Sequence, residues 1–186
     1  MKKPALIVID VQNALAEGHP FEFDIVLSNI QSLLRVARAQ GMEVIFVQHT
    51  EAAGSEFAAH THGWELVSEL VPLPSEYVMS KNYHSAFRQT ALDRYLSTKH
   101  IQQLILVGMQ TEYCIDASIK VAFELGYEVL VPEKTNTTFD NALLSAKQLY
   151  DHYHNYVWNH SFAEVISLSE TVKIMQKWHP IRPACD

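Results

Sequence analysis

Short apolar runs recur from one end of the chain to the other, each followed by a segment of helical period. No other feature restricts the possible folds as much. The runs are "ALIVID" (5–10), "MEVIFVQ" (42–48), "EYVMS" (76–80), "IQQLILV" (101–107), "YEVLVP" (127–132) and "AEVIS" (163–167). Strands that are apolar throughout, rather than alternating, are covered on both faces. Between them, "DIVLSNIQSLLRVARAQG" (24–41) puts Val26, Ile30, Leu33, Leu34 and Ala37 on one helical face and ends in glycine. Helices are also expected at about 90–98, after Cys114 (Ile115, Ile119, Ala122 and Phe123 as the stripe), at 139–153 and at 169–178. Ser167 and Glu170 have capping-box spacing at the start of the last. The alternation predicts an α/β fold, a three-layer α/β/α sandwich around a parallel sheet. No repeat, linker or shift in composition divides the 186 residues, so one domain over 1–186 is expected.

Charge and cysteine content narrow the function. Fourteen basic against twenty-one acidic residues give a net charge of -7, which argues against nucleic acid and anionic membranes as partners. No apolar stretch reaches the roughly 20 residues that cross a bilayer. The N-terminal "MKKPALIVIDVQN" is broken by Asp10 and is read as a strand rather than a signal peptide. Two cysteines, Cys114 and Cys185, far apart, fit a reducing cytoplasm better than a disulfide framework.

The strand ends carry the chemistry. Asp10 ends the first strand, Lys81 ends the third, and Cys114 opens the helix after the fourth. In an open parallel sheet all three lie at the carboxyl edge, where ligands bind, and the irregular segment 49–66 borders the same crevice. Alone, each has an ordinary structural reading: a turn cap, a solvated lysine, a buried inert thiol. Together they supply the parts of nucleophilic catalysis. Thr111 is expected to cap the helix, leaving Cys114 near its positive end, where a thiolate is favoured. Asp10 can take the thiol proton, Lys81 can hold the charge, and amides of the 108–114 turn can serve an oxyanion. No GxSxG, GxGxxG or P-loop pattern occurs.

"IDVQN" (9–13), "KNYHSAF" (81–87) and "GMQTEYC" (108–114), in this order at matching strand ends, resemble the isochorismatase-like cysteine hydrolases over nearly the whole chain. The resemblance implies a six-stranded Rossmann-like sheet of order 3-2-1-4-5-6 and an Asp10–Lys81–Cys114 triad. It also implies a cis Met109–Gln110 peptide, with the N–H groups of Gln110 and Cys114 as the oxyanion hole. No cofactor is implied, and a homo-oligomer is. The implied activity is hydrolysis of a small-molecule amide, lactam or related C–N bond through a thioester. "HGWELVSEL" (62–70) with "GMQTEYCID" is most similar to the subgroup that includes streptothricin hydrolase. Candidate substrate-binding residues are Gln12, Trp64, Tyr83, His84, Gln110 and Tyr113.

Nicotinamidase members of that family carry an Asp-x-His…His metal site after the second strand. Here "VQHTEAAGSEF" puts Gln48 and Thr50 around His49, without the carboxylate. A metal held by His49, His60 and His62 is therefore the alternative, not the expectation. A second alternative is a non-catalytic thiol-sensing protein on the same scaffold. His152, His154 and His160 are read as a solvated face or an oligomer contact.

Overall fold

The computed structural model describes residues 2–179 of the 186, so Cys185 lies outside the described residues. Seven strands form one parallel sheet: β1 (Pro4–Ile9), β2 (Glu43–His49), β3 (Tyr77–Lys81), β4 (Gln103–Met109), β5 (Glu128–Pro132), β6 (Asn136–Thr137) and β7 (Glu164–Ile166). Their order is β3-β2-β1-β4-β5-β7, with β6 paired to the tip of β4. The order is the expected one, the last run holding the sixth place. The two-residue β6 is an addition too short for any periodicity to reveal.

The helices are α1 (Asn13–Ala16), α2 (Phe23–Ala39), α3 (Leu92–Thr98), α4 (Asp116–Glu124), α5 (Ala146–His152) and α6 (Leu168–Lys177). Successive strand residues face opposite sides, so β1 divides its apolar run between two cores. Leu6 and Val8 pack with Val26, Ile30, Leu33 and Leu34 of α2 and Met175 of α6. Ala5, Ile7 and Ile9 pack with Leu92 and Leu96 of α3, Ile119 and Ala122 of α4, and Trp158. Two covered faces make the three layers.

Several boundaries move, each for a local reason. β3 runs one residue further than "EYVMS", which makes Lys81 its last residue. β4 begins at Gln103, because the Ile101 amide is still bonded to Leu96 O at the end of α3. The helix expected over 139–153 begins at Ala146, where Ser145 and Gln148 form a capping box. Ahead of it the Asn141 and Asp140 side chains accept from the amides of Leu143, Leu144 and Ala146 and hold an irregular loop. Beyond α5 the chain widens into a π-helical turn, Tyr153–Trp158. Phe123 is not core: it is half-exposed and meets Phe162 edge-on.

Candidate active site

The backbone around Asp10 and Gly108 shapes the floor of the site. Ile9 and Gly108 are register partners on β1 and β4. A Cβ on Gly108 would stand 1.9 Å from Ile9 O, and its φ of +126° is one that side chains avoid, so only glycine fits there. Asp10 leaves β1 with φ +53°, a left-handed conformation that aspartate tolerates, while its amide stays bonded to Val47 O at 2.9 Å. After β4 the Met109–Gln110 peptide is cis, as expected. Thr111–Ile115 then form a π-helical turn that leads into α4 and carries Cys114.

Lys81 comes from β3, two strands away from β1 and about 10 Å off at ordinary strand spacing. A long side chain is needed to cross the end of β2. Its Nζ lies 2.6 Å from Asp10 Oδ2, 3.2 Å from Cys114 Sγ and 3.3 Å from His49 Nδ1. The Asp10 and Lys81 side chains are 1% and 0% exposed. The three residues do converge. No aligned hydrogen bond satisfies either Asp10 oxygen, so the ammonium is the main compensation for its burial, and acceptor capacity remains.

Burial raises the Asp10 carboxyl above its ordinary value, against the pull of Lys81. Burial, followed by the charge of Asp10, pushes the Cys114 thiol up to about 12, with Lys81 opposing. Burial and the Asp10 carboxylate thus oppose the pull that the helix start exerts towards a thiolate. The cap assigned to Thr111 is corrected, since its hydroxyl turns inward and donates to Asn136 Oδ1 at 2.8 Å.

The candidate substrate contacts divide. Gln12 is fully buried, and its amide is consumed by backbone: Nε2 donates to His49 O and Trp64 O, and Oε1 accepts from the His49 amide. It clamps the 49–66 segment to the sheet and has no surface to offer a substrate, which corrects its assignment as a contact. Trp64 is half-buried, with Nε1 donating to Thr50 Oγ1 at 2.8 Å. His84 and Tyr113 are exposed side by side, ring centres 5.5 Å apart, and His84 Nδ1 is 3.6 Å from Cys114 Sγ. Gln110, half-buried, opens the turn itself. Tyr83, His84, His49, Asn82 and Arg88 line a cavity of about 430 Å³, in which His84 is the residue that reaches Cys114 Sγ.

The histidines considered for a metal point to different partners. His49 faces the Lys81 ammonium through Nδ1 and Glu51 through Nε2 at 3.4 Å. His62 pairs with Glu17 at 2.6 Å, and His60 lies against Trp64. Among the described residues no group of three or more His, Cys, Asp or Glu side chains gathers. An imidazole nitrogen already facing an ammonium does not fit a cation site.

Two features were not legible in the sequence. His154, expected on a solvated face, is 3% exposed. It stacks on Tyr150 at 3.8 Å and bonds Asn136, whose Oδ1 also holds Thr111 of the turn that carries Cys114. The π-helical turn moves His154 off a 3.6-residue projection, so no periodic signal marked it. The other feature is Arg88, which sits one residue past "KNYHSAF" and lacks any motif of its own.

A family model described as the isochorismatase domain matches residues 4–170. Streptothricin hydrolase of Streptomyces noursei is 36% identical over 138 residues, 73% of this chain and 50% of that protein. The chain thus spans about half the length of that relative. Ureidoacrylate amidohydrolase RutB of Variovorax paradoxus is 26% identical, over 79% of this chain and 73% of its own. Among solved structures, an isochorismatase family protein superposes with a TM-score of 0.82 at 32% identity, covering 90% of this chain and 99% of that one. An isochorismatase from Pseudomonas putida gives 0.86 at 26%, covering 90% and 89%. With the domain matched over residues 4–170, the chain belongs to the isochorismatase family.

Proposed function

We propose that the protein is a metal-independent cysteine hydrolase of a small amide, lactam or related C–N bond. The observation that carries this reading is the buried approach of Lys81 Nζ to both Asp10 Oδ2 (2.6 Å) and Cys114 Sγ (3.2 Å) at the carboxyl edge of the sheet. Burying such a pair costs several kcal/mol of desolvation per ion, and a hydrophobic replacement is often as stable. A fold needs no ion pair there, whereas catalysis does. Two relatives, streptothricin hydrolase and ureidoacrylate amidohydrolase, are named as hydrolases, and the second, as an amidohydrolase, supports the same bond type.

In the proposed reaction Sγ attacks the acyl carbon while Asp10 takes the thiol proton. With its thiol raised to about 12, Cys114 gives up that proton only as the new bond forms. The N–H groups of Gln110 and Cys114 hold the developing oxyanion, worth on the order of 3 kcal/mol per donor. Asp10 returns the proton to the departing amine, leaving a thioester. Asp10 next accepts a proton from water as the hydroxide adds to the thioester, and the proton goes back to sulfur as the acid leaves. Lys81 offsets the negative charge shared by Asp10 and sulfur throughout. The reading includes a cytoplasmic homo-oligomer, tested by fractionation and sedimentation.

A panel of primary amides, lactams and ureido compounds, offered to wild type and Cys114→Ala, tests the reaction. Turnover by wild type alone, with an acyl adduct on the Cys114 peptide by intact mass and mapping, is the expected result. Equal hydrolysis of every accepted compound by Cys114→Ala removes the nucleophile.

A further inference from the structure

One cation in the cavity wall has no part in that reaction. We propose that Arg88 forms an anion subsite and that the substrate is an amide bearing a carboxylate at the end remote from the scissile bond. This deepens the hydrolase reading and rests on it.

Four observations point there. First, Arg88 lines the same cavity as His84, and His84 Nδ1 is 3.6 Å from Cys114 Sγ, so a single lining residue links the guanidinium's cavity to the thiol. Second, the guanidinium carbon sits over the Tyr83 ring, 4.0 Å from its centre. A cation–π contact uses none of the N–H groups, the fork that takes a carboxylate in two parallel bonds. Third, Arg88 forms no ion pair among the described residues. Arg38, by contrast, is spent on Glu76 through Nε and Nη2 at 2.8 and 2.9 Å. Fourth, every ionisable group lining the cavity is basic, His49, His84 and Arg88 apart from the Tyr83 phenol, although the chain as a whole carries -7. Glu51 beside it is held by Ser55 Oγ at 2.5 Å and by His49.

The turn that carries Arg88 is anchored, although the side chain is exposed. Ala86 and Phe87 are buried, the Ala86 amide bonds Ser118 Oγ at 3.0 Å, and Thr90 Oγ1 bonds Ala86 O at 2.7 Å. Its backbone is set before ligand arrives, and little order has to be created on binding.

Alkylation of Cys114 by iodoacetate and by iodoacetamide, which differ only in the charged group, reads the subsite without turnover. Relative to the same ratio for glutathione, wild type is expected to favour iodoacetate by about tenfold, the scale of one charge-assisted bond. Arg88→Gln loses that preference and Arg88→Lys keeps part of it. In parallel, Cys114→Ala is expected to bind succinamate about tenfold more tightly than butyramide, and Cys114→Ala/Arg88→Gln to bind them equally. No preference in wild type, or one that survives Arg88→Gln, overturns the subsite even if amides are hydrolysed through Cys114. An Arg88-dependent preference in a protein that turns over no amide keeps the subsite and removes the hydrolase reading instead.

Discussion

Two buried polar clusters meet the same π-helical turn and are built on opposite terms. Asp10, Lys81 and Cys114 bring two charged groups and a thiol together, with both Asp10 oxygens lacking an aligned hydrogen bond. Thr111, Asn136 and His154 form a neutral chain of hydrogen bonds, in which only His154 Nδ1 goes unpartnered. The first is electrostatically expensive and leaves acceptor capacity open for a reacting proton. The second is nearly satisfied and holds the π-helical turn from behind, with β6 pairing Gly108 and Met109 just before it. A site that moves protons keeps valences free, and its support closes them.

If that contrast is right, the clusters fail in different ways. Cys114→Ala should cost roughly a thousandfold or more in kcat/KM with little change in the urea midpoint. Lys81→Met should cost both activity and about 3–5 kcal/mol of stability, because a buried carboxylate is left uncompensated. Asp10→Asn/Lys81→Met should recover much of that stability in urea melts and none of the activity. A double variant as unstable as Lys81→Met would put the fold's dependence elsewhere. The raised Asp10 carboxyl sharpens the same point through pH. As the base it must be ionised, so the acid limb of kcat/KM should lie above the ordinary aspartate value of 3.8.

His154→Phe tests the other cluster and should lower stability by about 1–3 kcal/mol at neutral pH by leaving Asn136 short of a partner. Its pH dependence carries the sign. Burial lowers the His154 pKa to about 3, while the unfolded chain takes up that proton near 6.5. The contribution is full above 6.5 and is lost as pH falls towards 3, at up to about 1.4 kcal/mol per unit. Stability curves of wild type and His154→Phe should converge and then cross as the solution is acidified, and parallel curves would show that His154 does not titrate this way. The smallest effect is expected of Ser145→Ala, which removes the cap of the helix leading to His154. About 1 kcal/mol in a thermal melt is expected, with kcat/KM unchanged.

Much of this was legible in one dimension. The apolar runs predicted five of the strands within two residues, and the short run at 163–167 became β7. The capping box of Ser167 and Glu170 marked α6. Asp10, Lys81 and Cys114 stood out because each sits at a strand end, a place that local pattern can locate. Gln12 misled because a motif says that a residue is placed, not which of its neighbours consumes it. Phe123 misled because an apolar stripe does not tell which part of a face is covered. His154 and Asn136 gave no signal, since neither strand of two residues nor π-helical turn has a repeat to read.

What the residue order fixed by itself was the alternation of apolar strand and amphipathic helix, and with it which side chains arrive at the carboxyl edge. Those depend on interactions within a few residues and on hydrophobic period. What only the folded molecule decided was protonation, reach and satisfaction. A thiol's pKa is raised, a lysine reaches across a neighbouring strand, a glutamine is used up and Arg88 has no ion pair among the described residues, because burial and partners are set by segments distant along the chain.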